Sequence, residues 1–229
     1  MILQQFTKGY RYNSDTIFLY NFILKQKVKG SVLDVGSGCG ILGLLIKRDF
    51  TDIKLSQIEI QDIYAELSSK NAKNNGIDSE VIKGDFLAHD FVDKYDFVIS
   101  NPPFYHSGSL KSDSDSLYLS RHSGALGFDK FAQKVYKILK PRGSFIFCYD
   151  AKQIDFISRT LLEARFKINK IQFVHVNLQK SASLVIIFAK RESKSLCSVL
   201  PPLVLYENGE YRQEVKDIFI KADTNSEDI

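Results

Sequence analysis

Asn101-Pro102-Pro103-Phe104 sets an amide, two imino acids and an aromatic ring directly after Tyr95 to Ser100, an apolar run that reads as a buried strand. The proline after Asn101 pushes that residue toward extended backbone. Its carboxamide and the Pro102 carbonyl can then be aimed at one point, with the Phe104 face beside them. Such a group can grip a planar ligand that carries an NH2. Read alone, the run also fits a tight loop after an edge strand, and what lies upstream favours the chemical reading.

Upstream, Val32-Leu33-Asp34-Val35-Gly36-Ser37-Gly38-Cys39-Gly40 ends an apolar run in a carboxylate and then places glycines at alternate positions before a helical pattern. Glycine lets the backbone turn sharply and approach a ligand closely. The spacing is not the Gly-x-Gly-x-x-Gly of a dinucleotide site, and Asp34 would repel a pyrophosphate. A carboxylate there suits an ammonium or sulfonium group. Glu59 falls about twenty residues past the glycine loop, where an acid can take ribose hydroxyls. Asp85, after Gly84, could accept from an adenine amino group. Each acid alone is commonly a solvated strand-end charge. Together with Gly36, Gly38 and Gly40 they describe a nucleoside with a cationic amino-acid arm, which is S-adenosylmethionine.

The elements that must position these residues alternate. Strands are expected at 31–35, 54–60, 80–83, 95–100 and 144–149, with helices at 39–48, 61–74, 129–139 and 152–164. This predicts an α/β, Rossmann-like parallel sheet with helices on both faces and ligands at the carboxyl ends of the strands. Two long β-rich runs, 166–176 and 183–190, predict an antiparallel pair closing the sheet. Ser14-Asp15 can cap a helix rich in apolar residues. Residues 107–123 read as a serine-rich lid or a disordered insert. The tail from Cys197 reads as a strap that frays at its end. The 229 residues are read as one domain, with 1–30 covering the cofactor, 31–191 forming the core and 192–229 the strap.

Composition excludes several classes. A hydrophobic content of 44% and a charged content of 25% suit a soluble globular chain, and no apolar run is long enough to span a bilayer. Without a signal-peptide pattern, a cytoplasmic location is expected. Three scattered cysteines suggest neither disulfides nor a zinc ribbon. The four histidines, His89, His106, His122 and His175, lack metal-ligand spacing, so no metal is expected. A net charge of +4 is compatible with a polyanion without requiring one.

With these motifs in order, the chain resembles class I methyltransferases that act on exocyclic amino groups. Gly9 to Asp15, Arg121-His122, Phe173-Val174-His175 and the tail Pro201 to Tyr206 with Gly209 and Tyr211 resemble the bacterial valine-tRNA (adenine-N6) methyltransferase family. The likeness runs from about Phe6 to Ile220. One departure is Ser123, where an acid is more usual after the Arg-His pair.

The resemblance implies a seven-stranded sheet with a reversed last strand, S-adenosylmethionine as cofactor and a tRNA adenosine beside the anticodon as acceptor. It implies that Tyr12 and Asp15 border the methionine end, that Asp34 and the glycines hold it, that Glu59 takes the ribose and that Asp85 takes the adenine. Asn101 and Pro102 would grip the target amine, with Phe104 stacking on the base. Arg11, Phe104, His106, Arg121, His122 and Lys190 are the candidate RNA contacts, and a monomer is favoured. Other acceptors remain open: guanine N2 of rRNA, adenine N6 of DNA, or glutamine N5 of a protein. A non-catalytic RNA-binding module is the reading from another class.

Overall fold

In the computed structural model, residues 1–9, 11–102 and 124–229 are described. The first long helix, α1 (Ser14–Leu24), follows a short strand β1 (Ile2–Gln5) and opens on Asn13, whose side-chain oxygen accepts from the Asp15 N–H. The expected Ser14-Asp15 cap is therefore one residue late, because Asn13 is the last extended residue and an amide caps as well as a hydroxyl. Then come β2 (Ser31–Val35), α2 (Ile41–Asp49), β3 (Lys54–Glu59), α3 (Asp62–Asn74), β4 (Glu80–Lys83) and β5 (Tyr95–Ser100). After the gap follow α4 (Gly124–Ile138), β6 (Leu139–Asp150), α5 (Ile154–Glu163), β7 (Phe166–His175) and β8 (Ala182–Arg191). Strand β6 starts five residues before its expected beginning, since Arg142 takes a left-handed turn ahead of Gly143 and the chain pairs on both sides of it.

Among the strands introduced so far, the main sheet runs β7-β8-β6-β5-β2-β3-β4. Strands β2 to β6 pair in parallel, while β8 is antiparallel to both neighbours, so the reversed strand lies between β6 and β7. The seven strands of the class I methyltransferase sheet are β2 to β8. Two short strands from the tail, β9 (Ser198–Val199) and β10 (Leu203–Val204), pair with β7 in parallel and extend the sheet to nine.

Alternation along the strands sends side chains to two cores. Val32, Ile99, Ile146, Cys148 and Ile186 pack toward α1, α2, α3 and a tail helix, α6 (Gln213–Ala222). Leu33, Val98, Phe145, Phe147 and Ile187 pack toward α4 and α5. Phe145 and Phe147 stack at 4.3 Å.

The tail does not fray. After the hairpin β11 (Tyr206–Glu207) and β12 (Glu210–Tyr211), and then α6, residues Asn225–Asp228 form β13, parallel to β1. On the other flank of β1, Asn71 on α3 and Asn75 just past its end stand one turn apart and act as a substitute strand. Asn75 accepts from the Ile2 N–H and donates to its carbonyl, and Asn71 does the same for Gln4. Both edges of β1 are thereby satisfied. Among the described residues, no helix is long and apolar enough to cross a membrane.

Candidate active site

The carboxyl ends of β2, β3, β5 and β6 form one edge, and the candidate residues gather there. Gly36, Gly38 and Gly40 all have positive φ, so the loop between β2 and α2 adopts turns that L side chains rarely take. At Gly36 a Cβ would meet nothing within 4 Å, which leaves open space above the loop. The buried Ser37 hydroxyl has no partner among the described residues.

Asp34 is 1% exposed, and its Oδ2 accepts from the Gly43 N–H at 2.9 Å, in the first turn of α2. Gly40, at the start of that helix, has no side chain to cap it, so Asp34 supplies the acceptor from β2. Burial, opposed by the Gly43 hydrogen bond and reinforced by the nearby Glu59 charge, pushes the Asp34 pKa up to about 7.

The Glu59 carboxylate accepts from the Gly38 N–H at 3.0 Å and from Gln61 at 2.9 Å, so it braces the glycine loop from β3. Asp85 accepts from Leu87 at 2.8 Å in the turn after β4. An acceptor oxygen has two lone pairs, so these backbone bonds leave capacity for ligand hydroxyls or an amine.

Asn101 follows β5, which pairs with β2 so that Ile99 is opposite Asp34; Asn101 thus leaves the sheet beside the start of the glycine loop. Ser100 Oγ donates to the Val35 carbonyl at 2.8 Å and ties the two strand ends together. The Asn101 Nδ2 donates to Thr16 Oγ1 at 2.8 Å, and the Cys148 thiol donates to Asn101 Oδ1 at 3.0 Å. Neither partner was among the residues singled out from the sequence. Thr16 lies inside a run expected to be helical, and Cys148 inside the strand expected at 144–149. Sequence spacing gives no sign that α1 and β6 meet at Asn101.

The amino-terminal segment is held by β13. Tyr12 Oη and Ser226 Oγ lie 3.0 Å apart, and Arg11 Nη1 donates to Asp228 Oδ1 at 2.7 Å. Asp15, at the start of α1, has its pKa raised by burial, partly offset by a hydrogen bond from Asn13. Pro102 is half-buried beside Asn101. Phe104, His106, Arg121 and His122 lie outside the described residues. Lys190 is a correction. Strand β8 is antiparallel, so Lys190 pairs opposite Ser144, midway along β6 and four residues before Cys148, on the side away from Asn101, with its ammonium over the Phe188 ring. Among the described residues, no cluster of three or more His, Cys, Asp or Glu side chains could hold a metal ion. A cavity of about 370 Å³ lined by Val176, Tyr206 and Arg212 lies beyond β7, three strands from Asn101, and is distinct from this site.

Residues 12–117 match the model of the methyltransferase small domain, a span that contains the glycine loop, Glu59, Asp85 and Asn101. The fold is that of the class I S-adenosylmethionine-dependent methyltransferases, and the matched span supports methyl transfer as the chemistry. A protein of Dyadobacter fermentans named tRNA1(Val) (adenine(37)-N6)-methyltransferase is 24% identical over 83% of this chain and 82% of its own. The ribosomal RNA small subunit methyltransferase C of Actinobacillus pleuropneumoniae is 33% identical over 39% of this chain and 27% of its own. Among solved structures, a predicted O-methyltransferase of Agrobacterium tumefaciens has a TM-score of 0.71 at 16% identity, covering 94% of this chain and all of that one.

The donor set at these strand ends fits S-adenosylmethionine. The space over Gly36, the unpartnered Ser37 hydroxyl and the carboxylates on three successive strand ends match a ligand with a cationic arm, a diol and an amino-substituted base.

Proposed function

We propose that the protein methylates the N6 amino group of an adenosine in tRNA, next to the anticodon of valine tRNA. The observation that carries this reading is the place of Asn101: an amide at the end of β5, oriented by two buried partners, beside the glycine loop. The names of relatives that span most of the chain support tRNA as the acceptor.

Tyr12, Asp15, Asp34, the loop glycines, Glu59 and Asp85 would hold the cofactor, which supplies an electrophilic methyl group when bound. An adenine amino nitrogen is a poor nucleophile because its lone pair is delocalised into the ring. Asn101 Oδ1 and the Pro102 carbonyl each accept one N–H and so favour the pyramidal nitrogen of the transition state. These are fixed dipoles that orient as well as stabilise. The proton then leaves to water, so the reaction needs no general base. Phe104 is assigned to stack on the target base, a contact that typically contributes about 1–3 kcal/mol. An unpaired loop nucleotide suits the site because it need not be pulled from a duplex. Arg11, His106, Arg121 and His122 are proposed RNA contacts.

A second acceptor, guanine N2 of ribosomal RNA, is favoured by the 33% identity to the small-subunit enzyme over 89 residues. Label transfer from S-adenosylmethionine to unmodified tRNA and to ribosomal RNA, followed by nucleoside digestion, separates the two. N6-methyladenosine in tRNA is expected. N2-methylguanosine in ribosomal RNA alone would replace the first reading with the second.

A further inference from the structure

We infer that Cys148 and Thr16 are positioning residues that fix which end of the Asn101 carboxamide faces the acceptor amine. The inference rests on the proposed role of Asn101 and deepens it.

A carboxamide can turn by half a revolution with little change of shape, and the two settings differ chemically. In one, the oxygen is in place to accept an N–H; in the other, an NH2 meets the incoming NH2 and repels it. Thr16 Oγ1 does not choose between them, because a hydroxyl both donates and accepts. The Cys148 thiol does choose. It is wholly buried, and burial together with the nearby Asp15 charge keeps it protonated, so it offers a donor and only a poor acceptor. Its S–H therefore requires Oδ1 on its side, 3.0 Å away, which turns Nδ2 onto Thr16 at 2.8 Å. One lone pair of Oδ1 is engaged by the thiol and one remains for the substrate. A sulfur donor bonds weakly, so it orients the oxygen while withdrawing little of its accepting power.

The two partners come from segments far apart in the chain. Thr16 is in the first turn of α1, and Cys148 lies near the carboxyl end of β6, packed in the core beneath that helix. Docking of α1 on the sheet therefore completes the orienting pair, so the amino-terminal segment helps to set the acceptor half of the site.

The test uses Cys148→Ala, Thr16→Val and Thr16→Ser in the full chain, each also combined with Asn101→Ala, with unmodified tRNA and ribosomal RNA as acceptors. Cys148→Ala is expected to lower kcat about five- to tenfold, the scale of one lost buried hydrogen bond, with KM for RNA and the cofactor Kd unchanged. Thr16→Val is expected to lower kcat at least about tenfold, because it orphans Nδ2, and Thr16→Ser to restore it. Neither change should lower activity further once Asn101 is Ala. A readout independent of acceptor is the Asn101 side-chain 15N–1H2 resonance pair, assigned by its loss in Asn101→Ala. It should be sharp and slow to exchange in the native protein, and broadened in Cys148→Ala. Equal losses with and without Asn101, or an unchanged amide signal in Cys148→Ala, would overturn the inference. Retained transfer in Asn101→Ala would instead remove the proposed mechanism itself.

Discussion

At the scale of single residues, the site combines groups that face a ligand with groups that brace them, and several residues do both. Asn101→Ala removes an oriented acceptor, and loss of one such fixed dipole typically lowers kcat about 10²- to 10³-fold. Steady-state kinetics should show that fall with the cofactor Kd preserved by calorimetry. Asp34 carries a pH dependence of unusual sign. Its native pKa of about 7 lies above the ordinary 3.8, so between those values the native state binds the extra proton. Its contribution is therefore fully present below 3.8 and is lost as pH rises through 7, at up to about 1.4 kcal/mol per pH unit. Denaturant melts from pH 4 to 8 should show this slope, and Asp34→Asn should abolish it. A cationic ligand favours the ionised form, so cofactor binding near pH 7 should release a proton and tighten from pH 6 to 8. Calorimetry in two buffers of different ionisation heat measures that release.

At the scale of elements, the glycine loop and the β1/β13 pair decide how the ligand-facing groups are presented. Gly40 has φ +89°, and a Cβ there would lie 2.5 Å from Ser68 Oγ and 3.1 Å from Gln57 Oε1, both buried. Gly40→Ala should lose about 1–3 kcal/mol of stability through backbone strain alone, read as a lower melting temperature. The Arg11–Asp228 pair is exposed, and such pairs contribute roughly 0–1 kcal/mol to stability. The single variant Asp228→Ala should therefore melt almost normally. It should still weaken cofactor binding about fivefold, the equivalent of ~1 kcal/mol, because the segment that carries Tyr12 loses its Arg11 brace.

The motifs on strand ends were readable because strand, acid and glycine lie consecutively in the chain: β2 with Asp34 and the loop, β3 with Glu59, β5 with Asn101. What could not be read depends on contacts between distant segments. Thr16 and Cys148 meet Asn101 only after α1 docks, and β13 finds β1 across more than two hundred residues. Lys190 was misplaced for a related reason: a reversed strand puts its carboxyl end on the far edge of the sheet, and spacing carries no edge information.

For the whole molecule, a ligand that binds only the folded state should raise stability by mass action. With S-adenosylmethionine at a hundred times its Kd the gain is about 2.7 kcal/mol. For a chain of this length, that shifts the midpoint by roughly 5–10 °C. Differential scanning calorimetry tests this without knowledge of the acceptor.

Strand β8 has a further consequence. It is the last long strand to leave the ribosome, yet its place is inside the sheet, between β6 and β7. A nascent chain that has emerged only as far as β7 carries two unpaired strand edges facing the same gap, each a template for the wrong partner. Chaperone occupancy during synthesis should therefore peak over that interval and fall once residue 191 has cleared the exit tunnel.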